Sequence, residues 1–162
     1  MSKKIILLAG PTASGKSKLA IEIANKIKGE VINADSMQVY KDFSVLTSRP
    51  SNLDLKKTKH HLYGFLSSKK YFSTGAWLSL VKKKIQLCIR KNKVPILVGG
   101  TGLYFEAITK GMSKIPSLDF KSRDKIRALQ IKLGQKKFYK DLLLLDPLVK
   151  NKIEPSDTQR SI

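Results

Sequence analysis

Apolar residues fall in short unbroken blocks over the first two-thirds of the chain and at helical spacing between and after them. Ile5-Ile6-Leu7-Leu8-Ala9 has the length and continuity of a strand buried on both faces and predicts one over 5–9. Leu19, Ala20, Ile23, Ala24 and Ile27 share one face of a helix predicted over 16–28, which Gly29 stops. Val31–Ala34 predicts a second strand, ending at Asp35-Ser36, and residues 41–72 read as irregular and polar. From a cap at Ser73 or Thr74, the stripe Trp77, Leu80, Val81, Ile85, Cys88 and Ile89 predicts a long helix to about Asn92. Val94–Val98 is the third strand; Gly99-Gly100-Thr101-Gly102 and a short helix over 103–109 follow, ended by Gly111. Beyond it no strand signal recurs. Residues 112–119 read as a connection, helices are expected over 121–133 and 136–145 on either side of Gly134, Asp146-Pro147 is a cap with proline in the first turn, and Asp157 opens a further helix.

This order predicts an α/β fold: a parallel sheet with helices on both faces over residues 1–111, a helical segment over 112–155 and a return toward the core at 156–162. Three strands are few for an open doubly wound sheet, so the sheet is expected to be incomplete.

The junction of first strand and first helix carries the strongest chemical signal. Gly10-Pro11-Thr12-Ala13-Ser14-Gly15-Lys16-Ser17 fits G-x-x-x-x-G-K-[ST] at every fixed position and has a strand before it and a helix after it. Such a loop turns backbone N–H groups toward phosphate oxygens and adds the positive end of a helix. Lys16 is placed to meet terminal phosphate oxygens and Ser17 to ligate magnesium, which makes the fold class phosphate-loop-NTPase-like. In open α/β sheets ligands gather at the carboxyl ends of strands. Asp35-Ser36-Met37-Gln38 after the second strand and Gly99–Gly102 after the third should therefore converge on the same cleft. Asp35 is the one carboxylate among these segments. It is open to three roles: holding magnesium through water, acting as a general base, or capping the segment that follows. The third strand ends in glycines and Thr101, where energy-coupled NTPases place a magnesium-holding acid, which argues against a motor or switch.

Charge adds a partner class. There are 32 basic residues against 12 acidic ones, a net charge of +20. Such a surface attracts polyanions over a Debye length of roughly 8 Å, with nucleic acid the natural candidate. Only five of the basic residues are arginine, and the lysines run along the whole chain, as genome composition alone would produce, so charge by itself does not decide the matter. Cys88, the single cysteine, reads as a buried inert thiol, and the adjacent His60-His61 pair does not converge readily on one metal ion. No stretch approaches the roughly 20 apolar residues of a membrane span, and the expected compartment is the cytosol.

Taken in order, the motifs resemble the tRNA dimethylallyltransferase (isopentenyl-tRNA transferase) family. The matching pieces are Gly10–Ser17, Ile32–Tyr40, Thr47 with Pro50, His60-His61-Leu62, Tyr71-Phe72-Ser73, Pro95–Tyr104, Asp146-Pro147 and Ile153–Arg160. Ser48 and Arg49 stand where the family more often has Ala-Lys. The resemblance implies transfer of a dimethylallyl group from dimethylallyl diphosphate to the N6 amine of the adenosine 3′ of the anticodon, in tRNAs reading U-initial codons. It implies that Gly10, Pro11, Thr12, Ala13, Ser14, Gly15, Lys16 and Ser17 hold the diphosphate, with Mg2+ near Ser17. Asp35 is then the general base and Thr101 a second catalytic position. Asp35, Ser36, Met37, Gln38, Thr101, Arg123, Gln159 and Arg160 meet tRNA, and the helical segment is an inserted, tRNA-facing lid. A monomer is expected. Family members continue beyond the position of Ile162, so the isolated polypeptide is expected to be weak or inactive and to need a further C-terminal part. The alternative is a small-molecule or nucleotide kinase; a third reading is a basic RNA-binding segment without chemistry.

Overall fold

A computed structural model describes residues 4–112 and 119–162 of the chain. The first compact unit spans Met1–Ser113 and the second Lys114–Ile162. In the first unit, β1 (Ile6–Ala9), α1 (Lys16–Ile27), β2 (Gly29–Asn33), α2 (Asn52–Lys57), β3 (His60–His61), α3 (Thr74–Arg90), β4 (Val94–Gly99) and α4 (Gly102–Thr109) follow one another, with a 3-10 turn at Lys41–Phe43. Among the described residues the sheet has the order β1-β4-β2-β3, and every pair is parallel.

The apolar runs of β2 and β4 alternate between two cores because successive side chains leave a strand on opposite faces. Ile32 and Leu97 pack with Trp77, Val81, Ile85 and Cys88 of α3 and Tyr104 and Ala107 of α4. Val31, Ile96 and Val98 pack with Ala20 and Ala24 of α1. Burial on both faces is why these strands read as continuous apolar runs. The stripe expected on α3 is largely seen: Trp77, Val81, Ile85 and Cys88 are buried, Leu78 joins them, and Leu80 and Ile89 are half-buried. The Ser73 side chain accepts the Ala76 N–H and caps the helix.

Two elements lie in the stretch read as irregular. β3 adds a fourth strand, only two residues long and paired with Val31 and Ile32. α2 begins in a capping box, with Ser51 and Asp54 each accepting from the other's backbone N–H. Ser-x-x-Asp ahead of Leu-rich turns is the signature that could have revealed α2. A two-residue strand has no periodicity to read.

β3 is fastened to the core by a buried cluster. His61 Nε2 and Glu30 Oε2 lie 2.6 Å apart, and the Cys88 thiol donates to the same carboxylate at 3.6 Å. Burial, then the charge of Glu30, raises the Cys88 pKa to about 11, so the thiol stays neutral and inert. His61, one of the adjacent pair, thus faces a carboxylate and a thiol from two other elements, all within 4.8 Å of one another, and the three satisfy each other by hydrogen bonding.

In the second unit, α5 (Phe120–Leu133) and α6 (Gln135–Leu145) flank Gly134, and a 3-10 turn covers Pro147–Asn151. The Asp119 side chain caps α5 by accepting the Ser122 N–H. The final segment, expected as a return toward the core, is hydrogen-bonded to these helices. Gln130 Nε2 donates to the Thr158 carbonyl at 2.9 Å, and Gln135 Nε2 donates to the Pro155 carbonyl at 2.8 Å. Asp157 does not open a regular helix; its side chain accepts the Gln159 and Arg160 N–H groups and closes a turn. The connection expected over 112–119 lies mostly outside the described residues.

Burial alone would raise the Glu30 pKa, but the hydrogen bond and charge of His61, with Cys88 and Lys59, bring it below its ordinary value of 4.5. A carboxylate whose folded pKa lies below its unfolded one stabilises the fold above the unfolded value and loses that contribution as pH falls through the folded one. Glu30→Gln should therefore cost roughly 2 kcal/mol near neutrality. In thermal melts its deficit against wild type should shrink as the pH falls below the ordinary carboxylate value of 4.5; a deficit independent of pH would refute the assignment.

Candidate active site

The phosphate loop links the end of β1 to the start of α1. Gly15 has φ 81° and Ala13 φ 64°, left-handed turns that bring successive N–H groups to one side of the loop. Gly15 adopts this conformation at no steric cost, whereas Ala13 is held in it by the loop on either side. Lys16 Nζ folds over the loop, donating to the Pro11 carbonyl and, at 3.4 Å, lying against Ser14 Oγ. Gly10 N donates to the Gly99 carbonyl at 3.3 Å, which anchors the loop to β4.

The turn after β2 is fixed by a residue that carries no chemistry of its own. Asn33 is fully buried. Its Oδ1 accepts the Asp35 N–H at 2.9 Å, and its Nδ2 donates to the Asp35 and Leu62 carbonyls at 2.9 and 3.1 Å. The Asn33 carbonyl in turn accepts the indole N–H of Trp77 at 3.0 Å. The end of β4 closes on the same turn. A Cβ on Gly99 would lie 2.1 Å from the carbonyl carbon and oxygen of Ala34, so only glycine fits. Asp35 Oδ1 accepts the Met37 N–H at 2.9 Å, an Asx turn rather than the cap of a helix.

Of the residues singled out from sequence, the structure gathers Thr12, Ala13, Ser14, Gly15, Lys16, Ser17, Asp35 and Gln38 around one cavity of about 280 Å³. A second, largely apolar cavity is lined by Met37, Phe43, Leu46 and Thr47 and shares Thr12 and Asp35 with the first. Phosphate cradle and apolar pocket thus meet at the carboxylate. Gln38 faces the cradle while its Nε2 donates to the Thr47 carbonyl at 2.8 Å, holding the loop that carries Phe43 and Leu46. Thr101 supports the turn: its Oγ1 accepts the Ser36 N–H at 2.9 Å and lies 3.3 Å from Ser36 Oγ. Its backbone N–H donates to the Ala34 carbonyl at 3.3 Å. Arg123 is exposed on α5, and Gln159 and Arg160 are exposed in the turn that Asp157 closes; all three belong to the second unit.

Sequence reasoning missed Asn33, whose polarity inside an apolar strand was the available signal. It gave Tyr63 no place beside the phosphate loop, whereas the residue lines the same cavity.

Fold and site together define an α/β phosphate-loop protein whose anion cradle adjoins an acid and an apolar pocket. A family model described as IPP transferase matches residues 38–162. The chain is 59% identical to a tRNA dimethylallyltransferase of Pelagibacter ubique, over 98% of this chain and 51% of that protein. It is 45% identical to one of Allorhizobium ampelinum, over 97% and 52%. Among solved structures, a eukaryotic dimethylallyltransferase acting on tRNA superposes with a TM-score of 0.83 at 32% identity, over 99% of this chain and 40% of that one. The full-length tRNA isopentenylpyrophosphate transferase of Bacillus halodurans superposes with a TM-score of 0.68 at 29% identity, over 99% and 53%. The chain belongs to the IPP transferase family and spans about half the length of the curated relatives it matches.

The knot at Asn33 and Gly99 is open to test. Asn33→Ala strips partners from the Asp35 N–H and the Leu62 carbonyl and should cost about 3 kcal/mol in urea unfolding. Gly99→Ala should cost about as much by forcing β4 away from Ala34. An unchanged midpoint in either variant would contradict the geometry.

Proposed function

We propose that this chain carries the diphosphate-binding site and general base of a tRNA dimethylallyltransferase. The observation that supports this reading best is the junction of phosphate cradle and apolar pocket at Thr12 and Asp35. An allylic diphosphate has the same division: a polyanionic head for the loop and a branched C5 tail for Met37, Phe43 and Leu46. A carboxylate at the junction stands where head and tail join, beside the carbon that reacts.

The chemistry follows from that placement. The N6 lone pair of the target adenine forms a bond to the allylic C1, the C1–O bond breaks, and its electron pair leaves with diphosphate. The N6 proton passes to Asp35. Loop N–H groups and Lys16 stabilise the charge that grows on the leaving oxygens. The N6 lone pair is delocalised into the ring, so a base helps only when the amine is held against the allylic carbon. The adenine must leave its stack to enter the cleft, as in other enzymes that modify bases. The hydroxyl of Ser17, with a carboxylate lining the same cavity, is a hard oxygen donor set that fits magnesium. Ser17 and the diphosphate would hold the ion, whose bound charge adds to leaving-group stabilisation.

Thr101 acts here through the Ser36 turn. Arg123, Gln159 and Arg160 are proposed tRNA contacts in a lid formed by the helical unit, supported by their exposure and by the net charge of +20, which favours binding to a nucleic-acid backbone. Among the described residues no helix is long and apolar enough to cross a membrane, and the proposed reaction takes place in the cytosol on tRNA.

Calorimetry on the 162-residue chain tests the first half of the proposal. Dimethylallyl diphosphate with magnesium should bind, and Lys16→Ala should weaken it by roughly ten- to a hundredfold. In the chain extended to the length of its relatives, Asp35→Asn should lower kcat for prenyl transfer by about 10²–10⁴. Phosphoryl transfer from ATP without prenyl transfer would instead establish the kinase reading.

A further inference from the structure

Tyr63 is held in the phosphate cavity by a strained piece of backbone. It follows Leu62, whose φ of 63° is unusual for a bulky residue and costs roughly 1–2 kcal/mol. Two hydrogen bonds hold the chain there: Asn33 Nδ2 to the Leu62 carbonyl at 3.1 Å, and the Gly64 N–H to the Gln38 carbonyl at 2.9 Å. The turn sets the Tyr63 ring against the core cluster on the α1 side that includes Ala20, Val31 and Val98. There it stands edge-on to His60, with ring centroids 5.5 Å apart.

The ring packs, but the hydroxyl does not pair. Tyr63 lines the cradle with Thr12–Lys18, Asp35 and Gln38. Among the described residues every buried side-chain nitrogen or oxygen has a hydrogen-bond partner, and the Tyr63 hydroxyl has none. The hydroxyl is therefore not sealed in the core, and Tyr63 is among the residues that line the cavity. Burial, reinforced by the negative charge of Asp35, raises the phenol pKa far above its ordinary value. A phenol that stays protonated beside a carboxylate serves an anion only as a donor. Asp35 Oδ1 already accepts from Met37, and Gln38 Nε2 is taken by the Thr47 carbonyl; apart from Ser48, the cavity's other side-chain donors come from the phosphate loop and the start of α1.

We propose that the Tyr63 hydroxyl donates a hydrogen bond to the diphosphate, making Tyr63 a ligand-binding residue that enters the cradle from the β3 side. The proposal rests on the reading of this cavity as a diphosphate site. It gives the strain at Leu62 a purpose: the turn brings a donor from the sheet edge to meet the donors of the loop. A hydrogen bond from the sheet side also fixes the orientation of the leaving group, which a loop alone leaves free to pivot.

The test uses the 162-residue chain, inorganic pyrophosphate and magnesium, read by calorimetry. Tyr63→Phe keeps the packed ring and removes only the hydroxyl; it should weaken pyrophosphate binding by roughly ten- to a hundredfold, as expected for one hydrogen bond to a charged group. Lys16→Ala is the reference. If Lys16→Ala weakens binding and Tyr63→Phe does not, the proposal is overturned while the diphosphate site stands. If the wild-type chain binds no pyrophosphate, the diphosphate reading fails and this proposal fails with it. A second measurement needs no variant. With 13Cζ-labelled tyrosine, one of the five tyrosine resonances should move along the binding isotherm, since Tyr63 is the tyrosine that lines the cavity. Binding with all five resonances unmoved would equally overturn it.

Discussion

The site depends on one buried carboxamide. Asn33 ends β2 with its side chain turned inward, where water cannot replace any hydrogen bond it fails to make. It ties the Asp35 backbone on one side and the strand leaving β3 on the other, while its own carbonyl is held by Trp77. The carboxylate and the Tyr63 turn are thereby referred to a single rigid point. Gly99 completes the constraint by letting β4 approach Ala34 more closely than any side chain would permit. Rigid support of this kind suits the base role proposed for Asp35, because small misplacements of a catalytic group are costly in rate.

The cleft divides by polarity along the same line. On one side are backbone N–H groups, Lys16 and hydroxyls; on the other are Met37, Phe43 and Leu46. The loop carrying the apolar side is fastened by side chain to main chain, through Gln38 to Thr47 and Thr47 to Phe43. Polar residues near the phosphate loop thus do structural work for the apolar pocket. Thr101 does the same for the Ser36 turn. Residues that resemble substrate contacts when read as a motif are here also the residues that shape the pocket walls.

The strands, the long helices and the phosphate loop were legible because each is written locally. Continuous apolar runs, 3.6-residue stripes and G-x-x-x-x-G-K-S carry their meaning within a dozen residues. The convergence of Asp35 and Thr101 was also legible, since parallel sheets gather their strand ends at one edge. β3 was not: its two residues become a strand only because β2 offers an edge and Glu30 a partner for His61. The hydrogen bonds of the tail were not legible for a similar reason. They run to Gln130 and Gln135, some 20 to 30 residues earlier, and nothing in the tail's own sequence names those partners.

Sequence by itself determined where the phosphate-loop motif lies, where three of the four described strands run, and that Asp35 stands at the carboxyl end of the second. Only the tertiary structure decided that Asn33 holds the Asp35 backbone, that an apolar pocket adjoins the phosphate loop, and that Tyr63 lines the same cavity. The difference is one of range. Backbone conformation and amphipathic period are set by neighbours along the chain, whereas a buried hydrogen bond or a shared cavity wall is set by which distant elements the packing of the core brings together.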